Sequence, residues 1–242
     1  MKRTHFVKAL IISALLISQS LISADAGVIA ESVKWYGQAC VSMTLEGKKI
    51  VIDPLHVSKN EIADIVMITH THDDHFSPAD MKKVVGPDTV IVTAKETEAS
   101  VKKIFSNKVI ALLPGQKTNV GKIEIKAVDA YNIRKNKFHP SEKKWLGFII
   151  TSGGVKIYHT GDTELIPEMK TIDTDIIILP LGQTYTFDSV DEAVKAALDT
   201  KAEIAIPFHY GEYEGTAEDA KSFAEKLRGK IKVIIKEKES GK

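Results

Sequence analysis

The chain of 242 residues has one cysteine, Cys40, and that scarcity excludes an internal disulfide framework and any zinc or iron–sulfur site built from thiolates. A metal here has to be held by His, Asp or Glu. An excess of one charge is missing as well: 33 basic and 32 acidic residues leave a net charge of +1, without long blocks of one sign. The clustered positive footprint of a nucleic-acid binder is therefore absent, and the reading is a small-molecule substrate with no nucleic-acid partner. Long apolar runs are lacking too. The uncharged stretch 9–24 is interrupted by Ser13, Ser18, Gln19, Ser20 and Ser23, and falls short of the roughly 20 apolar residues that span a bilayer. With 43% hydrophobic and 27% charged residues the chain can still bury a sizeable core, so disordered, collagenous and coiled-coil readings fall away.

Residues 1–26 read as a secretory signal. Lys2, Arg3 and Lys8 form a positive start, Ala9 to Ile17 an apolar stretch, and Ala24-Asp25-Ala26 a small-x-small cleavage site. The expectation is a periplasmic or secreted protein without a stable membrane anchor once residues 1–26 are removed, and the oligomeric state is left open. From Gly27 to Lys242 no Pro/Gly/Ser-rich linker or compositional break occurs, which points to one compact domain over 27–242.

Within that span short apolar runs alternate with amphipathic segments. Cys40 to Leu45 and Lys49 to Ile52 flank a Glu46-Gly47 turn, and Leu146 to Thr151 and Val155 to His159 flank Ser152-Gly153-Gly154, each pair reading as a hairpin. Ile65 to Thr69, Val90 to Thr93, Val109 to Leu113, Ile176 to Leu179, Ile204 to Ile206 and Val233 to Ile235 read as further strands. Helices are expected at Ala79 to Val85 behind Ser77-Pro78, at Glu96 to Phe105, and behind two capping boxes, Ser189 with Glu192 and Thr216 with Asp219. Strands and helices in both halves imply an α+β chain, two sheets packed face to face with helices outside. A loose echo of His70-Thr71-x-x-Asp74 in His159-Thr160-Gly161-Asp162 hints at a duplicated half.

The chemistry concentrates in Ile68-Thr69-His70-Thr71-His72-Asp73-Asp74-His75-Phe76, with three histidines and two aspartates directly after an apolar strand. His70 and His72 are two apart, so on extended backbone they point the same way and can grip one metal. Asp74 and His75 continue into a turn that can aim them at a second ion. Neutral imidazoles with a carboxylate suit zinc, iron or manganese.

His70-x-His72-x-Asp74-His75 resembles the signature of the metallo-β-lactamase-fold hydrolases, and the likeness runs from Trp35-Tyr36-Gly37 to His209. The resemblance implies an αββα sandwich of two mixed sheets and a hydrolase that uses a water activated by two divalent ions, zinc before manganese or iron. It implies that His70, His72 and His139 hold one ion, Asp74, His75 and His209 the other, and that Asp162 of Gly161-Asp162 bridges them. Asp74 and Asp162 are thereby the expected catalytic carboxylates. Asp53, in Val51-Ile52-Asp53-Pro54, is expected to orient a ligand histidine and its loop. His159 is expected to pack beside the site rather than to bind metal. Tyr185, Gln183 and Tyr210 are candidates for the substrate mouth.

Trp35-Tyr36-Gly37-Gln38-Ala39-Cys40, Tyr158-His159-Thr160-Gly161-Asp162-Thr163 and Leu179-Pro180-Leu181-Gly182 look like the branch with ascorbate-phosphate lactonases and N-acylphosphatidylethanolamine-hydrolysing phospholipases D. Lactone or phosphodiester hydrolysis is the activity this implies. An exported β-lactamase and a non-catalytic periplasmic metal- or ligand-binding protein are the alternatives.

Overall fold

A computed structural model describes residues 26–57 and 62–239. Of the signal reading only Ala26 falls among them; the rest of that segment lies outside the described residues. Residues 26–32 form a helix, α1, whose Ala26 and Ala30 are fully buried in the core. The first half of the chain then builds β1 (Lys34–Gly37), β2 (Cys40–Leu45), β3 (Lys48–Ile52), β4 (Ala63–Ile68), α2 (Pro78–Val84), β5 (Val85–Ala94), α3 (Glu98–Ile104) and β6 (Val109–Leu112). The second half builds β7 (Lys117–Val120), β8 (Ile123–Asp129), β9 (Leu146–Ser152), β10 (Val155–His159), β11 (Ile176–Pro180), α4 (Val190–Asp199), β12 (Ile204–Phe208), α5 (Ala217–Leu227) and β13 (Lys232–Val233).

The strands form two sheets, β1 to β6 and β7 to β13, each with its strands side by side in chain order. Both sheets start as antiparallel meanders and end as parallel strands: pairing turns parallel from β3 to β4 in the first, and from β10 to β11 in the second. Period-two alternation explains the layering. Val41, Met43, Leu45, Ile50, Ile52, Ile65 and Met67 join the core shared with the second sheet, while their neighbours Cys40, Val51, Val66 and Ile68 face Met81, Val84 and Val101 of α2 and α3. On the far side α4 and α5 cover the second sheet with Ala193, Ala196, Ala197, Ala220 and Phe223. The layers run helix, sheet, sheet, helix, the α+β sandwich that the pattern implies.

Three details differ from the sequence reading. The hairpin of β7 and β8, paired in antiparallel register around Gly121, lies where no strand was assigned. The Ser189 box is half a box: the hydroxyl accepts the Glu192 N–H, but the Glu192 carboxylate accepts the Asp188 N–H and pairs with Arg134. Thr216 and Asp219 form the complete reciprocal pair. The echo between His70 and His159 joins strands that are not equivalent. His70 follows the first parallel strand, β4, whereas His159 ends the last meander strand, β10, whose counterpart is β3, running into Asp53. The halves repeat in topology, with Asp53 and Asp162 in corresponding places.

Candidate metal centre

Apart from His139, in the loop between β8 and β9, the predicted ligands lie past the carboxyl ends of strands in both sheets, where backbone bonds tie the sheets together. Leu146 N–H donates to the Thr69 carbonyl at 3.1 Å, and His209 N–H to the Gln38 carbonyl at 3.0 Å. Past β4 the chain bends sharply: the His72 carbonyl accepts the N–H groups of His75 and Phe76 at 2.9 and 2.8 Å, turning Asp74 and His75 back toward the site. The Ser77 hydroxyl then caps α2. Gly161, at φ +62°, brings Asp162 in; a Cβ there would lie 2.5 Å from the Leu146 carbonyl oxygen. Gln38, Asp53 and His209 also have left-handed backbone, with φ of 44°, 47° and 59°, conformations held by the surrounding structure at this one place.

His70, His72 and His139 bring their ligand atoms within 4.8 Å of one another, and so do Asp74, His75 and His209. Asp162 lies between the trios. Its Oδ2 is 3.3 Å from His139 Nε2 of the first and 3.3 and 3.1 Å from His75 Nε2 and His209 Nε2 of the second. His75 Nε2, His139 Nε2 and Asp162 Oδ1 are buried without a hydrogen-bond partner. Natural interiors rarely leave such atoms unpaired. His70 Nε2 and His72 Nδ1 approach to 3.1 Å.

The partners of the other ring nitrogens decide which atoms carry lone pairs. The Asp53 carboxylate, fully buried, accepts from Thr69 N–H at 2.8 Å, the Thr69 hydroxyl at 2.6 Å and His75 Nδ1 at 2.8 Å. Because that hydroxyl spends its proton on Asp53, its oxygen can only accept from His70 Nδ1–H, 2.9 Å away. Both rings thus turn an unprotonated Nε2 inward when neutral. His139 Nδ1–H donates to the Tyr185 carbonyl at 3.1 Å, with the same result. Converging lone pairs, a bridging carboxylate and orphaned buried acceptors fit one or more divalent cations.

Protonation divides the trios. Burial and the neighbouring imidazoles push His70 well below the ordinary histidine range, and burial with His139 and His75 lowers His72. In the second trio burial works the other way from the carboxylates and loses. Asp162 and Asp53 lift His75 to about 10, and Asp162, Asp74 and Glu214 hold His209 well above its usual value. Asp162, despite its burial, is kept far below the carboxylate range by His209 and His75; Asp74 likewise, by His209 and His75.

His159 lies apart from both trios. Buried and stacked on Phe208 with ring centroids 4.8 Å apart, it accepts the Gly161 N–H at 3.2 Å and so props the turn that carries Asp162. Tyr185 lines the cavity over the trios, about 390 Å³, together with Leu55, Phe138 and Tyr213. Gln183 and Tyr210 are not among its lining residues; Tyr210 stacks on Trp35 instead, at 4.8 Å.

Several supporting residues escaped the sequence reading. Glu214 Oε1 lies 2.8 Å from His209 Nδ1. Glu164, 1% exposed, accepts the N–H groups of Ile133, Arg134 and Lys135 at 2.8 to 3.0 Å and fixes the loop that bears His139. Trp145 packs against His70 and His72, centroids 4.7 and 4.8 Å away. Gln38 Nε2 donates to Asp74 Oδ2 at 2.9 Å and lies 3.1 Å from His209 Nε2. The one available cue was Gln38's place in the Trp35 to Cys40 run.

Residues 32–209 match the Beta-lactamase superfamily domain, and the chain belongs to that family. Several of its relatives are named metal-dependent hydrolases. The chain is 30% identical over 217 residues to a UPF0173 protein of Pyrococcus abyssi, covering 85% of this chain and 95% of that one. It is 32% identical over 213 residues to the UPF0173 metal-dependent hydrolase of Staphylothermus marinus, covering 79% and 88%. Among solved structures, the Parabacteroides distasonis protein described as a metal-dependent hydrolase superposes with a TM-score of 0.73 at 34% identity, over 86% of this chain and 93% of that one. The protein is accordingly a metal-dependent hydrolase.

Proposed function

We propose that the protein is a dinuclear hydrolase of small esters, its substrate a lactone rather than a phosphodiester. The observation that carries the dinuclear reading is the position of Asp162 Oδ2, 3.1 to 3.3 Å from histidines of both trios. His70, His72 and His139 would hold one ion and Asp74, His75 and His209 the other, with Asp162 common to both. Two such cations supply a water acidic enough to ionise near neutral pH and stabilise charge on the attacked group. Zinc suits this mixture of imidazole and carboxylate best.

The chain's own residues then set orientation and access. Asp53 and Thr69 lock the inward tautomers, and Leu55, Phe138, Tyr185 and Tyr213 give the mouth apolar walls suited to a hydrocarbon substituent. The exposed Asp73 carboxylate in the same lining disfavours an anionic group, which phosphodiesters and β-lactams both carry. A screen of zinc-loaded protein, with Asp162→Ala as control, against lactones, phosphodiesters and β-lactams tests this. Turnover of a lactone with an apolar substituent is expected. Phosphodiester or β-lactam turnover without lactone turnover would overturn the substrate assignment, and metal content below two per chain would overturn the dinuclear one. We also infer export, supported by the charged-then-apolar pattern of residues 1–26. N-terminal sequencing of protein from its source should begin at Gly27; an intact N-terminus in the cytosol would sink the idea.

A further inference from the structure

We propose, building on the dinuclear reading, that Glu214 is a positioning residue that couples the two metal trios through one buried carboxylate. One oxygen, Oε1, lies 2.8 Å from His209 Nδ1, within the second trio. The other, Oε2, accepts the N–H groups of Thr184 and Tyr185 at 2.8 and 2.6 Å. Tyr185 continues the connection: its carbonyl accepts His139 Nδ1–H at 3.1 Å, within the first trio. The path from His209 to His139 is thus one carboxylate and the backbone of one half-buried residue, Tyr185.

The surroundings are built for this carboxylate. Glu214 is 6% exposed, and the Thr186 hydroxyl gives it a further contact at 3.2 Å. Gly182 leaves the space it fills, since a Cβ at that position would stand 1.7 Å from the Glu214 carboxyl group. A buried carboxylate needs all of these donors. Removing its charge therefore releases the His209 ring and the Thr184 to Thr186 segment together. Asp53 does the corresponding job from the opposite side, holding His75 directly and His70 through Thr69. Each carboxylate fixes one histidine of each trio, so the two ion sites share both of these supports.

Other residues touch only one trio and serve as comparators. Gln38 reaches Asp74 and His209; Asn132 Nδ2 donates to the Tyr185 carbonyl at 2.6 Å and lies 3.2 Å from His139 Nδ1. The test is zinc titration against a competing chelator, resolving two binding events on metal-free wild type, Glu214→Gln, Gln38→Ala and Asn132→Ala. Glu214→Gln is expected to weaken both events, by about 10- to 100-fold each, while each comparator weakens one. If Glu214→Gln fails to fold, Glu214→Asp keeps the charge but draws it back by one methylene, and the same two-site weakening is expected with smaller size. Weakening of one event only, or of neither, overturns the coupling while the dinuclear reading stands. Wild type that takes up a single ion overturns both.

Discussion

The two trios use similar side chains in opposite electrical states. In the first, His70 and His72 are held as neutral rings whose lone pairs converge, with Trp145 packed beneath them and no carboxylate of their own. In the second, His75 and His209 are held as cations by Asp53, Asp74, Asp162 and Glu214, so two protons already offset part of the carboxylate charge of the metal-free cluster. The difference teaches that a histidine cluster can await a cation in two ways. One trio lacks a positive charge, and the other holds protons in its place. Asp162 belongs to both arrangements, and the largest effect is expected there. Asp162→Ala should remove about 10³-fold or more of kcat/KM and lower zinc content at both positions, measured by steady-state kinetics beside mass-spectrometric metal analysis. Loss of a single ion with the other retained at wild-type affinity would break the picture of a shared carboxylate.

Proton release sharpens the contrast. At neutral pH His70 and His72 are already unprotonated, so an ion bound there displaces no proton from either ring above about pH 6.5. The second must expel the protons of His75 and His209, so its apparent affinity should fall about tenfold per pH unit for each proton displaced, from about pH 10 downward in the case of His75. Calorimetric titrations in buffers of different ionisation enthalpy count those protons. Equal release for both ions would erase the distinction.

Asp53 reaches both trios from below, but by orientation rather than ligation. Asp53→Asn leaves His75 Nδ1 and the Thr69 hydroxyl with a weaker acceptor, and a 10- to 100-fold loss of metal affinity is expected, smaller than for Asp162→Ala. Equal losses for the two variants would contradict this ranking of roles.

The residues that the fold brings together were legible because His and Asp are crowded into His70 to His75, and because Asp162 and His209 each lie just past a strand. What fixes their protonation was not legible. Glu214 stands five residues past His209 in a stretch with no pattern, and its meaning comes from the space left by Gly182 and from donors at 184 to 186. Thr69 reads as the last residue of a strand, and only the fold shows its hydroxyl joining Asp53 to His70. The hairpin of β7 and β8 carried a readable signal, with Ile123, Ile125 and Ala127 alternating after Gly121-Lys122, but its short first strand, Lys117–Val120, is too polar to stand out. Long-range pairing gives such segments their identity, and a window of sequence does not contain it.

The smallest expected effect concerns the metal-free protein, where the trios should pull stability in opposite directions. His75 and His209 have folded pKa values above the unfolded value of about 6.5, so their contribution is complete below pH 6.5 and is lost as pH rises, through about 10 for His75. His70 and His72 have folded values below 6.5. The unfolded chain therefore takes up their protons more readily, and stability falls as pH drops beneath that value. Asp74 and Asp162 add to the acid side, since their stabilisation is present above about pH 3.8 and disappears as pH falls toward their lowered values. Melting temperature in chelator should consequently peak near pH 6.5 and decline by several degrees toward both sides. Saturating zinc should abolish the alkaline decline, because bound His75 and His209 no longer carry the protons whose loss causes it. An alkaline decline of the same size with and without metal would place its cause outside the second trio and dissolve the contrast between the two clusters.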